Sequence, residues 1–107
     1  MSLSENLTLT DYENRVVRLT GERWAHVRKH PEMVGQQELI RETLLEPELV
    51  VATRADESVR VYHRHYARTP VSSKYLLVAV KILPDDAYVL TAFFSSRQKR
   101  GLTIWPE

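Results

Sequence analysis

Two histidines four residues apart stand out in the stretch ERWAHVRKHPEM, which runs from Glu22 to Met33. On a helix, His26 and His30 would lie on the same side, where two imidazoles could bind a metal ion or transfer protons. The zinc-peptidase motif also requires a glutamate directly after the first histidine, and Val27 occupies that position. We therefore expect no metal and no other cofactor here. Proton transfer and a solvated basic helix surface remain as interpretations.

A lysine interrupts the apolar run YLLVAVKIL. An unpaired charge inside a covered strand is costly, so Lys81 should lie at a solvated part of the sheet or line a polar cleft. Thr91 lies in the next apolar run, AYVLTAFFS. If the two runs pair as a hairpin in the right register, the two side chains share one face of the sheet. We predict that Lys81 and Thr91 converge with His26 and Arg64 on one concave, anion-binding surface.

Aromatic and basic residues alternate in the run VRVYHRHYA. Tyr62, Arg64 and Tyr66 would share one strand face, which suits phosphate contact and base stacking but also suits an ordinary solvated sheet face. A second basic cluster follows near the end of the chain, at Arg97, Lys99 and Arg100. Both groups are candidate RNA contacts.

Composition limits the classes of protein that fit. The 107 residues suit one small domain, and a hydrophobic fraction of 43% is typical of a folded chain. The net charge of +1 does not indicate a polyanion partner, so any such argument must use the local charge distribution. The chain has no cysteine, no recognisable secretory signal and no apolar run that could span a bilayer. We expect a cytoplasmic protein that does not bind membranes.

The periodicity of apolar residues changes from helical to alternating at Pro47. It predicts helices near residues 21–30 and 36–46, then strands at 48–54, 59–67, 75–83 and 87–95. The expected fold is α+β, with two N-terminal helices packed on one face of a four-stranded antiparallel meander. Arg15–Leu19 is predicted as a short additional strand. Residues 1–14 are expected to be partly flexible, and residues 15–107 to form the single domain.

Four segments together resemble the small phage- and bacterium-associated domains grouped with the barnase–EndoU–colicin–RelE-like nucleases. They are RVVRLTGERWAHVRKHPEM, IRETLLEPELVV, YLLVAVKI and AYVLTAFFSSRQKRGLTIW, and the resemblance extends from about Leu7 to Trp105. It implies helices on a four-stranded antiparallel sheet and a metal-independent ribonuclease, a class with many toxins. The chain departs from the pattern at Phe93 and Phe94, where a tyrosine is expected nearby.

The chemistry implied by the resemblance is RNA transesterification by attack of a 2′-hydroxyl on the adjacent phosphorus. His26 would act as acid or base, and His30 would be the second proton-transfer group or would orient His26. Lys81 and Arg64 would bind the phosphate, with a hydrogen bond from Thr91. The predicted substrate contacts are Arg64, Tyr62, Tyr66, Arg97 and Lys99. The alternative function is a non-catalytic RNA- or protein-binding module, and the expected partners are RNA and a protein inhibitor or antitoxin.

Overall fold

The computed structural model describes residues 6–107. Within that range the chain forms seven strands and two α-helices. The strands are β1 Leu7–Thr10, β2 Val16–Leu19, β3 Leu49–Ala52, β4 Val59–Tyr66, β5 Lys74–Leu83, β6 Asp86–Ser95 and β7 Leu102–Trp105. The helices are α1 Gly21–Val27 and α2 Gln37–Leu45, with a 3₁₀ turn at Pro31–Met33 between them.

All seven strands belong to one sheet, in the order β1-β2-β6-β5-β4-β3-β7. Neighbouring strands are antiparallel except β2 and β6, which are parallel where Arg18 pairs with Tyr88. The predicted four-stranded antiparallel meander is therefore wrong. Its four strands form the centre of the sheet, as β3 to β6, but three four-residue strands extend it on both sides and make it mixed. Of these, β2 lies at the predicted additional strand Arg15–Leu19, whereas β1 and β7 were not predicted, because four residues give few alternating positions by which to separate a strand from a loop.

The predicted flexible segment, residues 1–14, contains a strand and a tight turn in its described part. Residues 1–5 lie outside the described residues. β1 pairs with β2 along its whole length, as an antiparallel hairpin. Asp11 closes the turn, since its Oδ1 accepts hydrogen bonds from the backbone N–H groups of Glu13 and Arg15, both at 2.9 Å.

Helix α1 begins where the sequence predicts because Thr20 caps it: the Thr20 hydroxyl accepts a hydrogen bond from the Arg23 N–H at 3.1 Å. The predicted extension of this helix to His30 is wrong, because the helix ends at Val27. His30 has extended backbone, as expected for a residue that precedes a proline, and Pro31 begins the 3₁₀ turn. No helix among the described residues has the length and hydrophobicity of a membrane-spanning segment.

The two faces of the sheet differ in what covers them. α1 and α2 pack on one of them, here called the helix face, where Leu76, Val78 and Val80 of β5 are fully buried. The other, here called the open face, has a smaller core of its own. Its buried members are Val51, Val61 and Leu77, and no helical residue of the described chain packs in it.

The connection from β6 to β7, residues 96–101, crosses β5, β4 and β3. We call it the strap. It lies over the open face, because the Lys99 N–H donates a hydrogen bond to His63. His63 is two residues after Val61 on β4, so both side chains are on the open face. At its end Gly101 lies against β3 so closely that a Cβ atom would be 2.4 Å from the Ala52 carbonyl oxygen. Only glycine fits there without a shift of the backbone.

The sheet curls enough for its two ends to meet. The Tyr12 ring, just after β1, lies 5.4 Å from the Trp105 ring at the end of β7. Trp105 Nε1 also donates a hydrogen bond of 3.3 Å to the Pro47 carbonyl. α2 packs in the curve of the sheet against β1, β4 and β5, and its Ile40 and Leu44 are fully buried.

Candidate nucleic-acid interface

The strap and the open face border a groove of about 1000 Å³. Four cationic side chains line it: Arg54, Arg97, Lys99 and Arg100. Among residues 6–107 no carboxylate lines the groove, and none of the four cations forms an ion pair. The groove therefore concentrates positive charge on a chain whose net charge is only +1. We call it the basic groove.

Cations elsewhere on the open face are paired. Arg18 forms an ion pair with Asp86, with Nη2 and Oδ2 separated by 2.7 Å, and this pair lowers the pKa of Asp86. Lys81 Nζ lies 2.7 Å from Asp56 Oδ2. Hydrogen bonds from Lys81 and then Ser58 lower the pKa of Asp56 to about 2. Both aspartates are thus ionised near neutral pH and compensate the charge of their partners, in contrast to the basic groove.

The floor of the basic groove is apolar and aromatic. Leu49, Val51 and Tyr75 contribute to its lining, and Tyr75 is half-buried on β5. The His65 ring meets the Tyr75 ring edge-on, with centroids 5.0 Å apart. His65 Nε2 in turn lies 2.9 Å from Ser73 Oγ. An aromatic ring beside guanidinium groups can stack on a nucleobase while the cations contact the adjoining phosphates.

His63 holds the strap against the sheet. Its imidazole is fully buried, with Nδ1 at 3.2 Å from the Leu49 carbonyl oxygen and Nε2 at 2.9 Å from the Lys99 backbone nitrogen. The Lys99 N–H can only donate, so Nε2 accepts and the proton is assigned to Nδ1. Burial lowers the pKa of His63, although its hydrogen bond to Leu49 acts in the opposite direction. In the neutral imidazole, each ring nitrogen therefore makes one hydrogen bond, Nδ1 as donor and Nε2 as acceptor.

Lys81 and Thr91 share the open face, as the hairpin argument required. Thr91 pairs with Ala79, two residues before Lys81 on β5. A bulge at Leu90 then changes the alternation of β6, so that Val89 lies on the helix face and is fully buried. Lys81 reaches solvent beside its aspartate partner, which matches the solvated alternative for this lysine.

The predicted convergence of His26, Lys81, Thr91 and Arg64 on one surface is wrong. α1 packs on the helix face through Val27, and His26 is exposed on the outer surface of that helix, beside Arg23 and Lys29. Lys81 belongs to the opposite face of the sheet. The sheet therefore separates the proposed acid–base histidine from the proposed phosphate-binding lysine. His30 is exposed as well and lies outside α1.

The predicted Tyr/Arg surface is packed against α2. Tyr62 is fully buried, and its hydroxyl donates a 2.6 Å hydrogen bond to Asp11 Oδ2. The Tyr66 hydroxyl donates to Glu42 Oε1 at 2.7 Å, and Arg64 Nη1 donates at 2.6 Å to the backbone carbonyl that follows α2. The alternation of β4 is as predicted, but the face that carries these residues packs against the rest of the protein: Tyr62 is buried, Arg64 and Tyr66 are half-buried, and their polar groups are already hydrogen-bonded. This arrangement does not present them as a free stacking surface.

Comparison of the chain with protein-family models, with curated proteins and with solved structures found no match. The resemblance to barnase–EndoU–colicin–RelE-like nucleases accordingly stays a prediction.

Two of the predicted substrate contacts do come together, since Arg97 and Lys99 both line the basic groove. Their signal in the sequence was a cluster of cations. Arg54 and Tyr75 line the same groove and were not predicted as contacts. Arg54 follows β3 and is far from the strap in sequence, so only the order of strands brings it there. His63 carried no sequence signal beyond its place in an alternating strand.

Proposed function

We propose that this chain is a non-catalytic RNA-binding module that holds a single RNA strand in the basic groove. The observation that carries the proposal is the lining of the groove, in which four cations stand without a facing carboxylate. Phosphate contacts from such side chains supply most of the sequence-independent affinity for nucleic acids. Arg97 and Arg100 can each bind a phosphate with two parallel hydrogen bonds.

Tyr75 favours a single strand over a duplex. Its half-buried ring belongs to the groove, beside cations of the strap. Bases are free to stack on an aromatic side chain only where they are unpaired, whereas a duplex hides their faces. Polar side chains of the lining, Ser96, Gln98 and Thr103, add hydrogen-bonding groups for sugar and base edges. The supported ligand is therefore an unpaired RNA segment of a few nucleotides.

RNA cleavage stays a prediction of the family resemblance, and the geometry gives it no support. Its proposed groups lie on two faces of the sheet, and Lys81 is paired with Asp56. Incubation of the purified protein with RNA in EDTA, compared with His26→Ala, tests it directly. Cleavage that is lost in His26→Ala would contradict the non-catalytic proposal.

The location and partners of the protein follow from the same proposal. A cytoplasmic location agrees with a ligand that is RNA and with the absence of cysteine from the sequence. A protein inhibitor or antitoxin stays a prediction.

The experiment is titration of a fluorescently labelled, unstructured RNA 12-mer with the protein at several salt concentrations. Each phosphate contact to a single strand contributes about 0.7 to the slope of log affinity against log salt, so four contacts give at most about −3. Replacement of Arg97, Lys99 and Arg100 by glutamine should weaken binding at least roughly tenfold and flatten the slope by about 2. A duplex of the same length should bind more weakly.

The matched control removes the same number of charges from α1 and the turn that follows it, by replacement of Arg23, Arg28 and Lys29 with glutamine. These three residues belong to α1 and its C-terminal end, which packs on the helix face through Val27, whereas the strap lies over the open face. Affinity in this variant should remain within about twofold of the parent, because the sheet lies between the lost charges and the groove and salt screens the remaining interaction. Equal losses in the two triple variants would refute binding in the basic groove.

A further inference from the structure

His63 occupies a position that the proposed function does not explain by itself. It is a titratable group with no exposed surface, placed between strand β4 and the backbone of the strap. The strap carries three of the four groove cations, Arg97, Lys99 and Arg100. Their placement therefore depends on what holds the strap, and His63 supplies the hydrogen bond from the sheet to its middle.

We propose that neutral His63 is a positioning residue for RNA binding, and that its protonation releases the strap and weakens the RNA complex. The inference rests on the proposed function, because it assigns a pH response to the same groove. A proton on Nε2 would replace the acceptor of the Lys99 N–H with a second donor, so the 2.9 Å contact would become repulsive. Nδ1 is already engaged with the Leu49 carbonyl, so the imidazolium has no second acceptor there to use.

The groups around His63 favour its neutral form. The strap contributes the Lys99, Arg97 and Arg100 cations, and β4 contributes His65 two residues along the same face. On β5 the residue opposite is the apolar Leu77, with Tyr75 beyond it. RNA that binds only when the strap is held against the sheet would stabilise the state with neutral His63, so RNA binding and protonation of His63 should oppose each other.

Glu48 is the acidic group nearest in the chain that contacts this part of β4. Its carboxylate accepts a hydrogen bond from the backbone N–H of His65 at 2.9 Å, and its own N–H donates to the His63 carbonyl at 2.8 Å. Both contacts are to the β4 backbone, and neither reaches an imidazole nitrogen of His63. The carboxylate is thus already engaged and gives the imidazolium no direct partner.

His63→Gln is the informative variant. The glutamine amide oxygen can take the place of Nε2 as acceptor for the Lys99 N–H, and it does not titrate. His63→Asn places its amide near Nδ1 instead, so it preserves the bond to Leu49 and loses the one to the strap. Lys99→Ala keeps the backbone N–H and removes only one cation. Together the three variants distinguish three effects on RNA affinity: the hydrogen bond to the strap, the protonation of residue 63 and the charge of the Lys99 side chain.

The experiment measures RNA affinity at fixed ionic strength from pH 7.5 to pH 5.0, together with hydrogen exchange of the Lys99 amide by NMR. Between these limits the affinity of the parent should fall at least fivefold relative to His63→Gln, and Lys99 amide protection should fall with it. His63→Asn should bind weakly at every pH. Lys99→Ala should show a lower affinity at pH 7.5 but the same fall with pH as the parent.

Each outcome decides something distinct. If the parent and His63→Gln follow the same pH profile, or if the Lys99 amide stays protected while affinity falls, the role given to His63 is overturned and RNA binding itself stands. If no RNA binds at pH 7.5, the proposed function has failed and the inference falls with it. If His63→Gln does not fold, the parent protein alone still tests the proposal, because its RNA affinity and the protection of its Lys99 amide must fall over the same pH range.

Discussion

At the scale of single residues, the same side-chain types serve opposite purposes on the two faces of the sheet. Tyr62 and Arg64 look like RNA contacts in the sequence, yet both form hydrogen bonds with other groups of the protein. Tyr75 and Arg97 have the same chemistry but border the basic groove. Residue type indicates what a group can bind, and only its neighbours decide whether that capacity is already used.

Tyr62→Phe should lower the free energy of unfolding by about 1–2 kcal/mol, because the Asp11 carboxylate loses a buried donor. Asp11 Oδ2 keeps its 2.6 Å contact with Arg15 Nη1, which limits the loss. Urea denaturation measures the change, and RNA affinity should not move. Tyr75→Phe is the control for stability, since no described residue hydrogen-bonds the Tyr75 hydroxyl. A loss of RNA affinity in Tyr62→Phe without a loss of stability would support the prediction that Tyr62 contacts RNA.

Lys81→Ala should leave RNA affinity within about twofold, whereas Lys99→Ala should reduce the salt slope by about 0.7. Lys81 already forms an ion pair with Asp56, and it lies outside the lining of the basic groove. The salt-dependent titration compares the two single variants directly. If Lys81→Ala lowers RNA affinity more than Lys99→Ala, Lys81 binds the phosphate, as the family resemblance implies.

At the scale of elements, the groove depends on one close approach between the strap and β3. Gly101→Ala should destabilise the protein by about 1–3 kcal/mol, because its Cβ would collide with the Ala52 carbonyl and displace the strap. Gly35→Ala is the matched control: it has a φ of +79° with no atom in the way, so its cost of about 1–2 kcal/mol is local strain.

The two alanine variants should differ in function more than in stability. Only Gly101→Ala should also weaken RNA binding, measured at a temperature where both variants remain folded. Equal RNA affinities in the two would mean that the strap position does not control the groove.

The elements that could be predicted from sequence are those with a distinct run or pattern of apolar residues, including the short strand β2. Helix α2 and the strands β3 to β6 lie close to their predicted ranges, because each has a clear pattern of apolar residues. The order of the strands could not be predicted. The parallel pairing of β2 with β6 joins Arg18 and Tyr88, which are distant in sequence, and depends on contacts that no local pattern contains. The basic groove could not be predicted for the same reason, because it forms only where the order of strands brings Arg54 next to the strap.

At the scale of the whole molecule, the buried His63 should make folding stability depend on pH. The lowered pKa keeps this imidazole neutral in the folded state, while the unfolded chain takes up a proton near pH 6.5. Acidification therefore favours unfolding, and the free energy of unfolding should fall with a slope of up to about 1.4 kcal/mol per pH unit. The window extends from about pH 6.5 down to the lowered pKa of His63.

Urea denaturation of the parent and His63→Gln between pH 5 and 8 tests this dependence. The variant should lose the part of the slope that His63 contributes. The stabilisation of the ionised Asp56 lies in a lower window, because it is present above pH 3.8 and is lost as the pH falls toward about 2. Identical slopes for the two proteins would show that His63 is not the titrating group.

The diagonal path of the strap also constrains the order in which the molecule can assemble. Among the described residues β7 pairs with β3, and the strap that leads to it rests on a surface that β3, β4 and β5 form together. Closing such non-local contacts is slow compared with forming a hairpin. We expect refolding to reach the central antiparallel strands first and the strap last. A chain caught between these steps would have much of its sheet but no binding groove.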